Sequence, residues 1–184
     1  VKRAFLFEDA DPRDYSLEKV TNLSIADYKS LLEEDSTYTM NWAQEVDGSV
    51  AYENGRVFSV QLTEYSYFGG AHPNNFTRLL NYDLFTGESV DLSLLIEDVE
   101  AFEAQAEQAF RKERELSDEE NLNEAGFFWE GDFELPREMG LTEEGILLLY
   151  NNYEAAPYVL GPTEFVLPYD SIRPMMTKNP YFPK

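Results

Sequence analysis

The stretch "TYTMNWAQEVDGSVAYENGRVFSVQLTEYSY", residues 37 to 67, decides the fold. Its β-branched and aromatic residues, punctuated by Asp47-Gly48 and Asn54-Gly55, form the pattern of consecutive antiparallel strands joined by tight turns. Phe58, Val60 and Leu62 alternate with Val57, Ser59 and Gln61. After Leu62 the phase slips to Thr63, Tyr65 and Tyr67, which predicts a bulge or bend just before the Gly69-Gly70 turn. Further on, "FTRLLNYDLFTGESVDL" (76 to 92) reads as another strand, a turn at Thr86-Gly87 and a short return.

Helices flank this region. In "LSIADYKSLLEED" (23 to 35), Ile25, Tyr28, Leu31 and Leu32 fall on one face, with Ser24 as N-cap and Asp27 three positions on. Glu97 to about Glu115 is predicted as the main helix, with Val99, Phe102, Ala106 and Phe110 as its apolar stripe. The polar run "RELSDEENLNEAG" (114 to 126) reads as a mobile loop. Three more strand candidates lie in 127 to 154 and 163 to 172, of which "ILLLY" (146 to 150), apolar throughout, should be the most buried. The expected architecture is α+β: an antiparallel β-sheet with one long helix and a shorter N-terminal helix packed on it.

Composition bounds the function. At 184 residues the chain is expected to be a single domain over 1–184, and its 43% hydrophobic and 15% aromatic content supplies a full core. No apolar run is long enough to span a membrane. The chain starts at Val1, and "VKRAFLFEDAD" lacks the features of a signal peptide, so the N-terminus reads as trimmed, with an export signal or lipid anchor removed. A formal charge of −22 excludes nucleic acid as a partner and permits a basic protein. With no Cys and one His, thiolate metal sites and a cysteine nucleophile are excluded, and no metal or cofactor is expected. Asp9, Asp11 and Asp14 lack the spacing of an EF-hand loop and support at most a weak surface cation site.

Two stretches stand out as candidate sites. In "YSYFGGAHPNNFT" (65 to 77), His72 is the only histidine, set between Gly69-Gly70 and Pro73 in a segment of restricted shape. The ordinary role of such a histidine is one hydrogen bond to a backbone carbonyl. In "YNNYEAAPYVLG" (150 to 161), Tyr153, Glu154 and Tyr158 enter a bend marked by Pro157 and closed by Gly161. Aromatic rings beside a carboxylate suit a sugar or a peptide; equally, the tyrosines cap the core and Glu154 satisfies backbone donors or pairs with His72.

Three segments together, "YFGGAHPN" (67 to 74), "NYDLFTGESVDLSLLI" (81 to 96) and "GILLLYNNYEAAPYVLGPTEFVLPYDSI" (145 to 172), resemble the RsiV-type C-terminal domain of unknown function. That domain occurs in the extracytoplasmic part of the anti-sigma factor RsiV and beside the catalytic domain of the peptidoglycan deacetylase PdaC. The resemblance spans roughly residues 20 to 175, leaving 1–19 as an extension or the remnant of a preceding region. It implies an exported, non-catalytic bacterial domain, in many relatives a stand-alone lipoprotein, which in RsiV binds lysozyme. The expected function is therefore an extracytoplasmic binding or sensor domain for a basic protein such as lysozyme or for peptidoglycan glycan. Candidate contacts are Tyr67, His72, Asn74, Tyr153, Glu154 and Tyr158, with Gly69, Gly70, Pro73, Pro157 and Gly161 as shaping turns. The alternatives are a hydrolase with His72 and Glu154 as an acid/base pair, and a structural module accessory to a neighbouring domain.

Overall fold

In the computed structural model, residues 16–129 and 131–182 are described. Element order is α1 (Leu17–Glu34), β1 (Ala43–Glu53), β2 (Val57–Tyr67), β3 (Asn74–Asp83), α2 (Val99–Glu113), β4 (Glu138–Leu141), β5 (Gly145–Tyr150), β6 (Thr163–Pro168) and α3 (Tyr169–Ile172). The strands form two three-stranded sheets in place of the single expected one, ordered β1-β2-β3 and β4-β5-β6. The α+β class stands. Asp9, Asp11 and Asp14 lie outside the described residues.

The residues cluster into two compact units. Among the described residues, one comprises 16–47 with Thr63–Asn75; the other comprises Gly48–Leu62 with 76–129 and 131–182. The slip in phase read at Leu62 coincides with this division. Buried positions in β2 are odd-numbered at Val57 and Ser59 and even-numbered at Ser66, yet the strand runs unbroken.

In the first unit, α1 begins earlier than expected. Ser16 is its N-cap, accepting from the Lys19 N–H at 3.1 Å, so Ser24 sits inside the helix. The helix stops at Asp35, whose Oδ1 takes the Thr37 N–H and hydroxyl at 2.9 and 2.6 Å and turns the chain away. The stripe is also corrected. Tyr28 and Leu31 are half-buried, whereas Ile25 and Leu32 are exposed, and the buried residue of this helix is Val20.

In the second unit, Asn54-Gly55 turns as expected, with Gly55 at φ +77 and Asn54 Oδ1 accepting from the N–H of Arg56 and Val57. Asp47-Gly48 does not turn. Gly48 lies in β1 because Leu62 crosses it, and a Cβ there would come within 2.9 Å of the Leu62 side chain. Gly87, at φ +73, closes the third expected turn, after which Ser89 bridges back to Tyr82.

β5 is the central strand of its sheet, which is why its apolar run is buried on both faces: Ile146, Leu148, Leu149 and Tyr150 are all core residues. Its register is fixed against β4 by Leu141↔Ile146 and against β6 by Tyr150↔Thr163. Helix α2 packs on β6, with Phe102, Ala106 and Phe110 buried. Val99, the fourth member of the expected stripe, is exposed because the helix begins there, capped by Asp98. The run 114 to 126 is a hydrogen-bonded series of turns, corrected from a mobile loop. Arg111 donates to the carbonyls of Ser117 and Glu120, and Leu122 is buried.

Phe110 is the hub of this core. Its ring meets those of Phe127, Phe128, Phe133 and Tyr150 at centroid distances of 5.1, 5.2, 5.8 and 5.5 Å, mostly edge to face. Truncation would leave a cavity that the surrounding rings cannot collapse to fill. Phe110→Ala is expected to lower unfolding free energy by about 3–5 kcal/mol in urea titrations; a loss under about 1 kcal/mol would show that the cluster packs loosely.

Candidate functional site

The second unit carries a cleft of about 380 Å³ lined by Phe76, Phe128, Arg137, Glu138, Tyr150 and the run Asn151–Glu154, among others. Three side chains in it hold the backbone together. Asn151, at the end of β5, is buried and accepts from the Thr77 N–H at 2.7 Å while donating to the Thr77 carbonyl at 2.9 Å. Glu138, at the start of β4, accepts the Leu79 N–H through Oε2 at 2.7 Å. Glu154 accepts the Arg137 N–H through Oε1 at 2.9 Å and the Asn151 N–H through Oε2 at 3.0 Å.

The expected role of Glu154 as acceptor for backbone donors is thus what the molecule contains. Tyr153 is held beside it in the left-handed region at φ +68, with its N–H donated to Ala156 O at 3.1 Å. Its ring is half exposed and lies 5.9 Å from that of Tyr158, tilted by 35°. Pro157 begins the 3-10 turn Tyr158–Leu160, and Gly161 at φ +69 ends it. Arg114 fixes this turn from α2. Its guanidinium donates to the carbonyls of Leu160, Gly161 and Pro162 at 3.0, 3.1 and 2.8 Å and to Thr163 Oγ1.

The other expected residues, Tyr67, His72 and Asn74, belong to the first unit, so each stretch is described in its own unit. Exposed His72 donates from Nδ1 to the Pro73 carbonyl at 2.9 Å, the ordinary role read for it. Asn74 is exposed and Tyr67 half-buried. Gly69 has φ +80 and no room for a side chain, since a Cβ would overlap the Tyr38 hydroxyl, which donates to Phe68 O at 3.2 Å. Gly70 has open space around it and no such requirement. Among the described residues no group of three or more His, Cys, Asp or Glu is arranged to hold a metal, and no helix is long and apolar enough to cross a membrane.

Sequence reading missed Asn151, Glu138, Arg114 and Phe128. Asn151 stands inside the quoted "YNNYE", but an asparagine beside tyrosines gives no sign that it clasps a strand 74 positions away. Phe128 was readable only as core, though its φ of +50 is special.

Two family models match successive parts of the chain. Residues 83–170 match the family described as "Protein of unknown function (DUF3298)", and residues 13–75 match the family "Deacetylase PdaC". Each match covers less than half of the chain, the PdaC-type one in its N-terminal part and the DUF3298 one in its C-terminal part. Among solved structures, a DUF3298 family member from Bacteroides fragilis superimposes with a TM-score of 0.76 at 22% identity, over 94% of this chain and 72% of that one. A DUF3298 family protein from Pseudomonas aeruginosa PAO1 gives 0.64 at 22% identity, over 87% and 72%. These share the fold. No curated protein matches.

Burial raises the Glu138 carboxyl above the ordinary glutamate range; the Leu79 N–H and the charge of Arg78 act against this, and Glu154 adds to it. The folded state therefore binds the proton more tightly than the unfolded chain, and stability from this group falls as pH rises from the ordinary value through the folded one. Glu138→Gln keeps an acceptor for Leu79 and removes the titration. The variant's urea midpoint is expected to gain on the wild type as pH rises above the ordinary glutamate value of about 4.3; a difference that stays constant through that rise would contradict the account.

Proposed function

We propose that this chain is a non-catalytic binding or sensor module of the bacterial cell envelope, on the extracytoplasmic side of a lipid-anchored protein, whose cleft takes a cell-wall glycan. The observation that carries the reading is the commitment of Glu154, whose two oxygens each accept a main-chain N–H. A carboxylate so held is a fixed acceptor, with lone pairs left for hydroxyl donors, and is poorly placed to shuttle protons. Next to it stands a half-exposed tyrosine ring of fixed direction, paired with a second. A sugar ring stacks its apolar face on such a surface and turns its hydroxyls to the acceptors around it. The family resemblance supplies the envelope setting and the sensing role.

A basic protein such as lysozyme is the second reading, favoured by the formal charge of −22, which would speed encounter and make binding salt-sensitive.

Calorimetric titration with an N-acetylglucosamine tetramer, and separately with a c-type lysozyme, at about 0.05 and 0.5 M NaCl tests both. Saturable heat with the sugar, little altered by salt and weakened at least about tenfold (~1.4 kcal/mol) in folded Tyr153→Ala, is the expected result. Salt-sensitive heat with lysozyme alone would replace the glycan by the protein as ligand. Silence from both would end the proposal.

A further inference from the structure

A second surface, on the first unit, is built by aromatic rings and is independent of the cleft. Trp42 lies 5.4 Å from the ring of Tyr28 on α1 and 5.1 Å, edge to face, from Phe68 at the end of β2. With Ile25 and the polar side chains of Ser24 and Gln44 they line an open groove of about 180 Å³. Phe68 and Ile25 are each about half exposed, at 48% and 46%.

The rings are locked in place from behind. The Trp42 indole N–H donates to the Tyr38 hydroxyl at 2.9 Å, and that hydroxyl donates in turn to the Phe68 carbonyl. The relay closes only because residue 69 is glycine, since any Cβ there would occupy the place of the Tyr38 hydroxyl. The "FGG" of the sequence thus serves to present Phe68 against Trp42. Rigid aromatic side chains cost little entropy to order, and such residues anchor protein interfaces.

The lining of the groove is uncharged, and the charge of the unit around it bears on what partner would suit it. Asp27 lies between Ile25 and Tyr28 on α1, Glu45 follows Gln44, and the run Glu33-Glu34-Asp35 ends the helix. Lys19 and Lys29 are the lysines of the described first unit, which contains no arginine. An aromatic groove in an acidic setting is complementary to a polypeptide that offers an apolar anchor flanked by Lys or Arg, the guanidinium being suited to the ring faces as well.

We propose that the Tyr28–Trp42–Phe68 groove is a docking site for a basic segment of a partner protein, inserting an apolar or arginine side chain between α1 and the Phe68 loop. The segment need not come from the same molecule as any ligand of the cleft.

The test uses the whole chain carrying Trp129→Phe, so that Trp42 is the sole indole, and three synthetic peptides of equal length: alternating Arg/Leu, alternating Glu/Leu, and Lys/Gly. The Arg/Leu peptide is expected to shift Trp42 emission saturably. Its Kd should rise at least tenfold in Phe68→Ala and on raising salt to about 0.5 M, and stay unchanged in Tyr153→Ala. The Glu/Leu and Lys/Gly peptides should bind at least tenfold more weakly, each lacking one of the two features. Equal binding of the Glu/Leu or Lys/Gly peptide, an affinity untouched by folded Phe68→Ala, or no response at all would overturn the proposal. Since the glycan titration reads the cleft through Tyr153, either reading can fail while the other stands.

Discussion

The far edge of β3 is satisfied by side chains where a fourth strand would ordinarily pair. Thr77, Leu79 and Asn81 alternate along this strand and therefore turn their main-chain groups to the same side. Asn151 takes both polar groups of Thr77, Glu138 takes the N–H of Leu79, and at the third position the Asn81 carbonyl accepts the Val90 N–H while its side chain reaches across to β4. Asn81 donates to Met139 O at 2.9 Å and accepts from the Leu141 N–H at 3.1 Å and the Ser59 hydroxyl at 2.7 Å. An unpaired edge would leave buried main-chain donors unsatisfied or open to another chain, at a cost of about 1–3 kcal/mol per buried group. Two side chains and one main-chain N–H remove that cost without joining the two sheets into one.

This arrangement shapes what the cleft has to offer. Asn151 and Glu138 line it, but their polar atoms are spent on β3, and Glu154 is spent on the chain at Arg137 and Asn151. What remains for a ligand is the outer lone pairs of fixed carboxylates, the Arg137 side chain and the ring of Tyr153. Such a set is preorganised by the fold itself, which favours recognition, where geometry must be held, over proton transfer, where a group must change state during the reaction.

Much of the fold was legible because it rests on local rules. The apolar run of β5, the turn at Asn54-Gly55 and the stripe Phe102, Ala106, Phe110 follow from periodicity and turn chemistry. The failures arise where tertiary contacts, made or missing, decide what a local signal cannot. Asp47-Gly48 has the composition of a turn, but Leu62 across the sheet makes the same glycine a strand residue. Ile25 and Leu32 keep helical spacing with Tyr28, yet nothing covers them, and periodicity records a face without saying whether it is buried. The candidate site was legible only in part for the same reason. "YNNYEAAPYVLG" supplies part of the cleft, while Glu138 lines it and Arg114 holds the adjoining turn from elements with no local oddity.

Glycine and tyrosine in the "YSYFGGAHPNNFT" stretch show how a conspicuous motif divides into parts with different physical duties. His72, its chemically notable member, makes a hydrogen bond from its ring to its own neighbour's carbonyl. Gly69, chemically silent, is required by a tyrosine 31 positions earlier in the chain, because the hydroxyl of Tyr38 fills the space its side chain would need. Reactivity drew attention to the histidine, but steric necessity belongs to the glycine. The loop is accordingly better understood as a mount for Phe68 than as a holder for His72.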